Sequence, residues 1–424
     1  MKSVRISESC TTTRAIAFYG LPDSSLVWFI SKLSDSGCFK TGHDSNGVGR
    51  DKQLLLGVIP MTTTKIRVPV LSPEGSPLMP TTSARARKWI ASGKAKPVWN
   101  DLNIFCVQLL VEPSGTETQD IAVGIDPGKL WSGIGCISSK AVLFTAHLIL
   151  PFKRVIALKQ AQKILRRSRR GRRINRNIPF TQRAHREKRF DNRRGNKLPP
   201  SIRANRQLEL RIVQEVTKLF PVTSIVYEYV KARGDKGFSP VMVGQKWMLA
   251  QLSKIAPTYK LEGWKTSNIR KYLGLEKNKD DKSVQDVSTH ANDGISLAAS
   301  RFIEYKAFHT ANSHGHHWIG SIQLTDAPFK VISRPQLYRR QLHFENPSKG
   351  GIRKRKGGTI TPFGFRSGDL VVATKGKKTV KGYIGGYSEV NKVVSVYDHN
   401  WKRYGQFSAS KTQLLRRSNG LCVA

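Results

Sequence analysis

Apolar residues recur along this chain in two periods, and the switches between them outline its elements. Lys65 to Leu71 alternates as a strand, Pro73 to Pro80 (PEGSPLMP) reads as a loop, and Ser83 to Ser92 (SARARKWIAS) predicts a helix. Thr82 or Ser83 would cap that helix and Gly93 would stop it. From Val98 onward the alternation returns, with Phe105, Val107, Leu109 and Val111 in phase, so this stretch predicts a compact β-α-β unit. Ile121 to Ile137 (IAVGIDPGKLWSGIGCI) predicts a hairpin turning at Pro127-Gly128, and Ala141 to Leu150 a third strand of an antiparallel meander.

Farther along, Ile202, Leu208, Ile212, Val213, Val216, Leu219 and Phe220 form the stripe of a helix capped by Ser201 and ended by Pro221. Val222 to Val230 then reads as a strand, a loop spans Gly234, Gly237 and Gly244, and Trp247 to Ile255 reads as a helix. Lys265 to Leu275 ends in a helical turn, Glu276 to Lys282 is a polar linker, and Asp286 to Phe302 predicts one amphipathic helix. A His- and Gly-rich connector leads to short strands at Asp369–Thr374, Val380–Ile384, Lys392–Tyr397 and Tyr404–Phe407, the spacing of a small barrel. Residues 1–60 sustain no period. They read either as a genuine small appendage or, the favoured reading, as upstream sequence from a start codon placed too early, with Met61 opening the patterned chain.

Charge changes the picture. A net charge of +43 over 424 residues would make a compact protein repel itself unless a polyanion shared its surface, and nucleic acid is the partner that fits. Lys153 to Arg211 is crowded with Lys and Arg and holds only three acids, Glu187, Asp191 and Glu209. It lies between core-forming segments, not at an end, so it reads as a nucleic-acid-binding helix and loop. The basic loop Lys349 to Gly358 (KGGIRKRKGG) would serve RNA or DNA equally. Five scattered cysteines (Cys10, Cys38, Cys106, Cys136, Cys422) with no paired spacing argue against zinc modules and a disulfide framework. No apolar run approaches a membrane span, which points to a cytoplasmic, nucleoid-associated protein.

Carboxylates inside apolar strands supply the candidate chemistry. Asp126 either starts the turn at Pro127-Gly128 or ends a buried strand and needs a cationic partner. Glu228 interrupts the Val222–Val230 strand in the same way, and His290 and Asp293 share one side of the last helix. Converging hard oxygen ligands suit Mg²⁺, and a pair of such ions suits phosphodiester hydrolysis, with His290 placed to accept a proton from water.

Three short motifs, IDPG at Ile125 to Gly128, YE at Tyr227-Glu228 and HAND at His290 to Asp293, resemble the split motifs of RuvC nucleases. PLMP at Pro77 to Pro80, RRSRRGRR at Arg166 to Arg173 and RFDNRRGNKLPPS at Arg189 to Ser201 narrow the resemblance to the transposon-encoded IscB/IsrB group. It covers about Lys65 to Phe302 and implies an α/β protein whose RNase H-like (RuvC) core is split by an Arg-rich bridge helix. It further implies a small N-terminal β-α-β PLMP domain (61–115) and a β-rich C-terminal domain (307–424). The RuvC parts would then be 116–152, 201–243 and 244–306, with the bridge helix and basic loop at 153–200.

By the same resemblance Asp126, Glu228 and Asp293 hold two Mg²⁺ ions, for which Mn²⁺ could substitute, and His290 is catalytic beside them. Arg166, Arg167, Arg169, Arg170, Arg172, Arg173, Arg176, Arg189, Arg193 and Arg194 would bind nucleic acid. The implied partners are a guide RNA (ωRNA) and a double-stranded DNA target carrying a flanking motif, around a monomeric protein. Only about sixty residues separate Glu228 from His290, and they include no His or Cys, so the HNH nuclease found there in IscB has no room. That is the IsrB arrangement, which implies a nickase for the non-target strand. A guide-independent nuclease on branched DNA and a catalytically idle RNA-binding protein are the alternatives.

Overall fold

In the computed structural model, residues 66–172, 175–182, 198–231, 240–336 and 359–424 are described. β1 (Arg67–Leu71), β2 (Pro77–Thr82), α1 (Ser83–Ala91), β3 (Ala95–Trp99) and β4 (Phe105–Leu109) build a four-stranded sheet in the order β2-β1-β4-β3. Pro77 to Pro80 is therefore strand, not loop, pairing Leu78 with Val70. Proline lacks an N–H to donate, but β2 is an edge strand, where that loss costs little. The unit has four strands where alternation suggested two, because Asn100 Oδ1 accepts from the N–H of Leu102 and Ile104 and folds Val98 to Val111 into a hairpin.

β5 (Ile121–Asp126), β6 (Trp131–Ser138) and β7 (Ala141–Ile149) form the expected antiparallel meander. α2 (Phe152–Arg172) leaves it, and α3 (Pro200–Thr217) returns to the sheet. The α3 N-cap is Pro199 and not Ser201, with Pro200 in the first turn, where a missing N–H costs nothing. β8 (Ser224–Tyr229) then pairs parallel to β5, placing Tyr227 beside Ile125. α4 (Pro240–Leu252) begins well before Trp247 and includes Gly244, which the sequence assigns to a loop. β9 (Thr258–Glu262), unpredicted, adds parallel to β8, and α5 (Gly263–Tyr272) follows.

The expected single helix over Asp286–Phe302 is two pieces. A wide π-type turn (Val287–Ala291), capped by Asp286 accepting from the Thr289 N–H, leads into α6 (Asn292–Ala299). The His/Gly connector is a hairpin, β10 (Ile303–His309) with β11 (His314–Gly320). β12 (Phe329–Ser333) pairs parallel to β7. β13 (Leu370–Lys375), β14 (Lys378–Ser388), β15 (Val393–Tyr397), β16 (Arg403–Ser408) and β17 (Thr412–Arg416) form a five-stranded sheet in the order β16-β15-β14-β13-β17. Among the described residues no ladder joins β16 to β17, so this sheet curls around its own core without closing into a barrel. β18 (Cys422–Val423) lies antiparallel to β12.

The central sheet thus reads β18-β12-β7-β6-β5-β8-β9 and is mixed α/β in architecture. Ile121, Val123, Ile125, Ile225 and Tyr227 face α3 and α4 in the main core. The alternate positions face α5 and α6, where Ala122 and Ile137 meet Ile269, Ile295 and Ala298.

Candidate active site

β5 and β8 are parallel neighbours, so Asp126 and Glu228, one residue beyond the Ile125–Tyr227 pair, lie side by side at their carboxyl ends. The antiparallel β6 flanks β5 on its other side, which makes this a point where the strand pattern changes direction, a usual place for a site in an open sheet. Both carboxylates project toward the α6 face, since Ile125 and Tyr227 project to the other.

Glycine brings α6 down onto them. A Cβ at Gly133 would strike the His290 backbone, and one at Gly135 would strike the backbone of Gly294 and Ile295. With hydrogen alone at these positions, the wide turn and the start of α6 rest directly on β6. His290 Nδ1 then lies 3.0 Å from Asp126 Oδ2. Its ring stacks on Trp131 at 6.4 Å between centroids and meets His147 edge-on at 5.4 Å. The Thr289 hydroxyl donates to the Asp286 carbonyl and pairs with His147 Nδ1 at 3.0 Å, pinning the wide turn to β7. Burial drives the His147 imidazole down to about 4, so this ring is neutral at physiological pH.

The electrostatics are those of crowded anions. Burial raises Glu228, and the charge of Asp126 beside it raises it further, so it keeps its proton well above the usual carboxylate range. Burial also opposes ionisation of Asp126, but hydrogen bonds from His290 and Glu228 outweigh it and hold that carboxyl low. The two share one proton, as close carboxylates do. Asp293 Oδ1 accepts from Arg270 at 2.5 Å, and its other oxygen meets Lys277. A proton and two cations therefore neutralise three converging acids. Among the described residues no three His, Cys, Asp or Glu side chains already form a metal cage. The donor set is nonetheless hard oxygen, three carboxylates whose shared proton and cation partners a metal ion could displace, which fits Mg²⁺ or Mn²⁺. His290 Nε2 is buried and lacks a hydrogen-bond partner. With Asp126 ionised and accepting at Nδ1, that nitrogen is the one left to take a proton.

Beneath Asp126, on the α3 face, lies a second buried cluster. Arg206 donates to Glu209 at 2.6 Å, to the Tyr227 hydroxyl at 2.9 Å and to the Gly128 carbonyl at 2.8 Å. Asn205 donates to the Lys129 carbonyl and Ser132 to the Asp126 carbonyl. The turn after Asp126 is thereby tied to α3 from below. Burial pushes Glu209 up against the pull of Arg206.

Sequence reasoning singled out Asp126, Glu228, His290 and Asp293, and all four meet here. It missed Arg270, Lys277, Trp131 and the Arg206 cluster. Arg206 and Glu209 carried a signal, two charges in the buried three-and-four register of α3. Arg270 and Lys277 carried none, being two more cations in a basic chain.

The arginines lie elsewhere. Phe152 is buried, but α2 from Ile156 to Arg169 is exposed on every side, Arg166, Arg167 and Arg169 included. Arg170 and Arg172 are on its last turn, their side chains outside the described residues, and Arg176 is exposed in the turn that follows. Arg173, Arg189, Arg193 and Arg194 lie outside the described residues, as does Lys349–Gly358.

Residues 68–241 match the model of a family described as RRXRR protein. That span includes Arg166-Arg167-Ser168-Arg169-Arg170, an instance of the pattern in the name. No curated protein matches the chain. Among solved structures, Thermus thermophilus RuvC is 11% identical, covers 46% of this chain and 99% of its own, and gives a TM-score of 0.24. T. thermophilus RuvC in complex with a Holliday junction substrate is 13% identical, with 42% and 90% covered and a TM-score of 0.24.

Proposed function

We propose that this chain is a RuvC-type DNA endonuclease, guided by an ωRNA, that nicks the displaced strand of its target. The carrying observation is the convergence of Asp126, Glu228, His290 and Asp293 from three separated segments onto one end of the central sheet. Its run of three antiparallel strands followed by two parallel ones, in the order β7-β6-β5-β8-β9, supports an RNase H-like core.

Asp126, Glu228 and Asp293 would hold the divalent ions, whose Lewis acidity toward a phosphodiester is the chemistry they supply. His290, oriented by Asp126 and by the face of Trp131, accepts the proton of the attacking water. Arg270 and Lys277 neutralise the mouth of the site and can turn from Asp293 to an incoming phosphate.

Support for guidance comes from α2. A helix of 21 residues with no acid in its first turn, and with exposed Ile164 and Leu165, buries too little of itself to be stable alone. A polyanion along its arginines would supply the missing counter-charge. Between Glu228 and His290 the described residues form α4, β9, α5 and the turn into α6, leaving no room for an inserted nuclease domain and supporting the single-nuclease reading.

The test is a supercoiled-plasmid assay with Mg²⁺, after sequencing of RNA that copurifies with the protein. Nicked circles dependent on that RNA are expected, with Asp126→Ala, Glu228→Ala and Asp293→Ala each abolishing the cut while retaining RNA. Cleavage by Asp126→Ala would overturn the site, clean double-strand breaks would overturn nicking, and cutting without RNA would overturn guidance.

A further inference from the structure

Along β8 the side chain two positions before Glu228, Val226, opens on the same face into a different feature. It is a cavity of about 580 Å³ between β9, α5, the end of α6 and the β10–β11 hairpin. Its walls display large aromatic rings to solvent: Trp264 is 60% exposed, Tyr305 53% and Tyr259 41%. Such rings are costly in water, and three around one cavity call for something flat to cover them.

The rings are held in place. Trp264 Nε1 donates to Glu262 at 2.7 Å, and Glu262 is in turn paired with Lys231. Tyr305 leans on Trp318 at 5.0 Å, and Trp318 stacks on Tyr272 at 4.2 Å. Cations accompany them: the Arg301 guanidinium lies 3.8 Å over Tyr259, and the Lys265 ammonium 5.4 Å over Trp264. One acid, Glu304, also lines the cavity.

We propose that this cavity binds an unpaired nucleotide of a single-stranded nucleic acid. The base stacks on Trp264 and Tyr305, and Lys265 and Arg301 meet its phosphates. Fixed aromatic faces interleaved with cations are the elements of sequence-tolerant single-strand binding, because every base has a π-face and every nucleotide a phosphate. A duplex keeps its bases stacked on one another and has none to offer.

The position ties the cavity to the candidate active site. Two residues of strand span roughly 7 Å, about one nucleotide step of an extended single strand. α5 connects them as well, with Trp264 and Lys265 in the cavity wall and Arg270 on Asp293. A strand crossing the carboxylates would be gripped here, beside the bond to be cut. The inference rests on the nucleic-acid reading above and adds to it which part of the substrate is held, and by what.

The test is fluorescence anisotropy with labelled oligo(dT), oligo(U) and a DNA duplex of equal length. It uses nuclease-treated full-length protein in EDTA, so that no cutting intervenes. Trp264→Ala with Tyr305→Ala should weaken single-strand binding by roughly tenfold or more while duplex binding holds. Trp264→Phe, which keeps a ring, should restore most of the loss. Lys265→Gln with Arg301→Gln should lower the log–log salt slope for the single strand by about 0.7 per lost contact.

Tighter oligo(dT) binding would identify the displaced DNA strand as the occupant, and tighter oligo(U) binding an unpaired RNA segment. Equal loss of single-strand and duplex binding, or no loss in a variant that melts like the parent, would overturn the cavity. The two readings fail separately. Unchanged single-strand binding in a variant that still nicks sinks the cavity alone. Ring-dependent binding by a protein that never cuts sinks the nuclease alone.

Discussion

At the scale of single residues, the candidate site is a problem of charge. Glu228 keeps its proton because burial and Asp126 both oppose its ionisation. Its folded value is raised above the unfolded one, so its contribution to stability is present at acid pH and lost as pH rises from the usual carboxylate range. Protein stripped with EDTA should therefore melt lower at pH 8 than at pH 6, and Glu228→Gln should flatten that dependence. Thermal melts of both proteins at the two pH values check this, and parallel curves would refute it. Mg²⁺ competes with the same proton, so its stabilising effect should grow with pH. These residues were legible in the sequence because each interrupts an apolar run. Arg270 and Lys277 were hidden because a cation that neutralises an acid across the fold looks, in sequence, like one that faces water.

At the scale of elements, glycine decides how close the pieces come. Gly133 and Gly135 on β6 let the wide turn and α6 sit on bare backbone. Gly135→Ala should force the two apart and cost about 1–3 kcal/mol, the range for overpacking a tight core. It should also reduce cleavage more than it reduces nucleic-acid binding, since it moves His290 and Asp293 but not α2. Denaturant unfolding and cleavage rates check both halves, and a neutral substitution would show that α6 can retreat freely. Strong periods, those of β5 to β8 and α3, were readable locally. β2, β9 and the β10–β11 hairpin were not, because prolines, lysines and histidines at strand edges mask alternation that only pairing partners reveal.

At the scale of the whole molecule, the least legible feature was the return of the chain to its own sheet. β12 and β18 lie far apart in sequence, and nothing in five or two residues announces a partner so distant. Leu421, Cys422 and Val423 are nevertheless buried in or against the central cores. Ser333 donates to the His399 carbonyl at 2.6 Å, and Tyr383 and Val423 exchange hydrogen bonds, so the five-stranded sheet also leans on the body. Since β12 and β18 are antiparallel neighbours, everything between them is, topologically, the loop of a single hairpin. A hairpin tolerates a very long loop, because closure entropy grows only with the logarithm of its length. The five-stranded unit is thus a cassette, docked at both ends on one sheet edge and exchangeable without rerouting the chain. Replacing 335–420 with a short turn should leave a cooperatively melting central-sheet core, and a molten product by near-UV circular dichroism would show that the cassette is structural. Evolution could trade such an insert for another domain while the carboxylate-bearing end of the sheet stayed as it is.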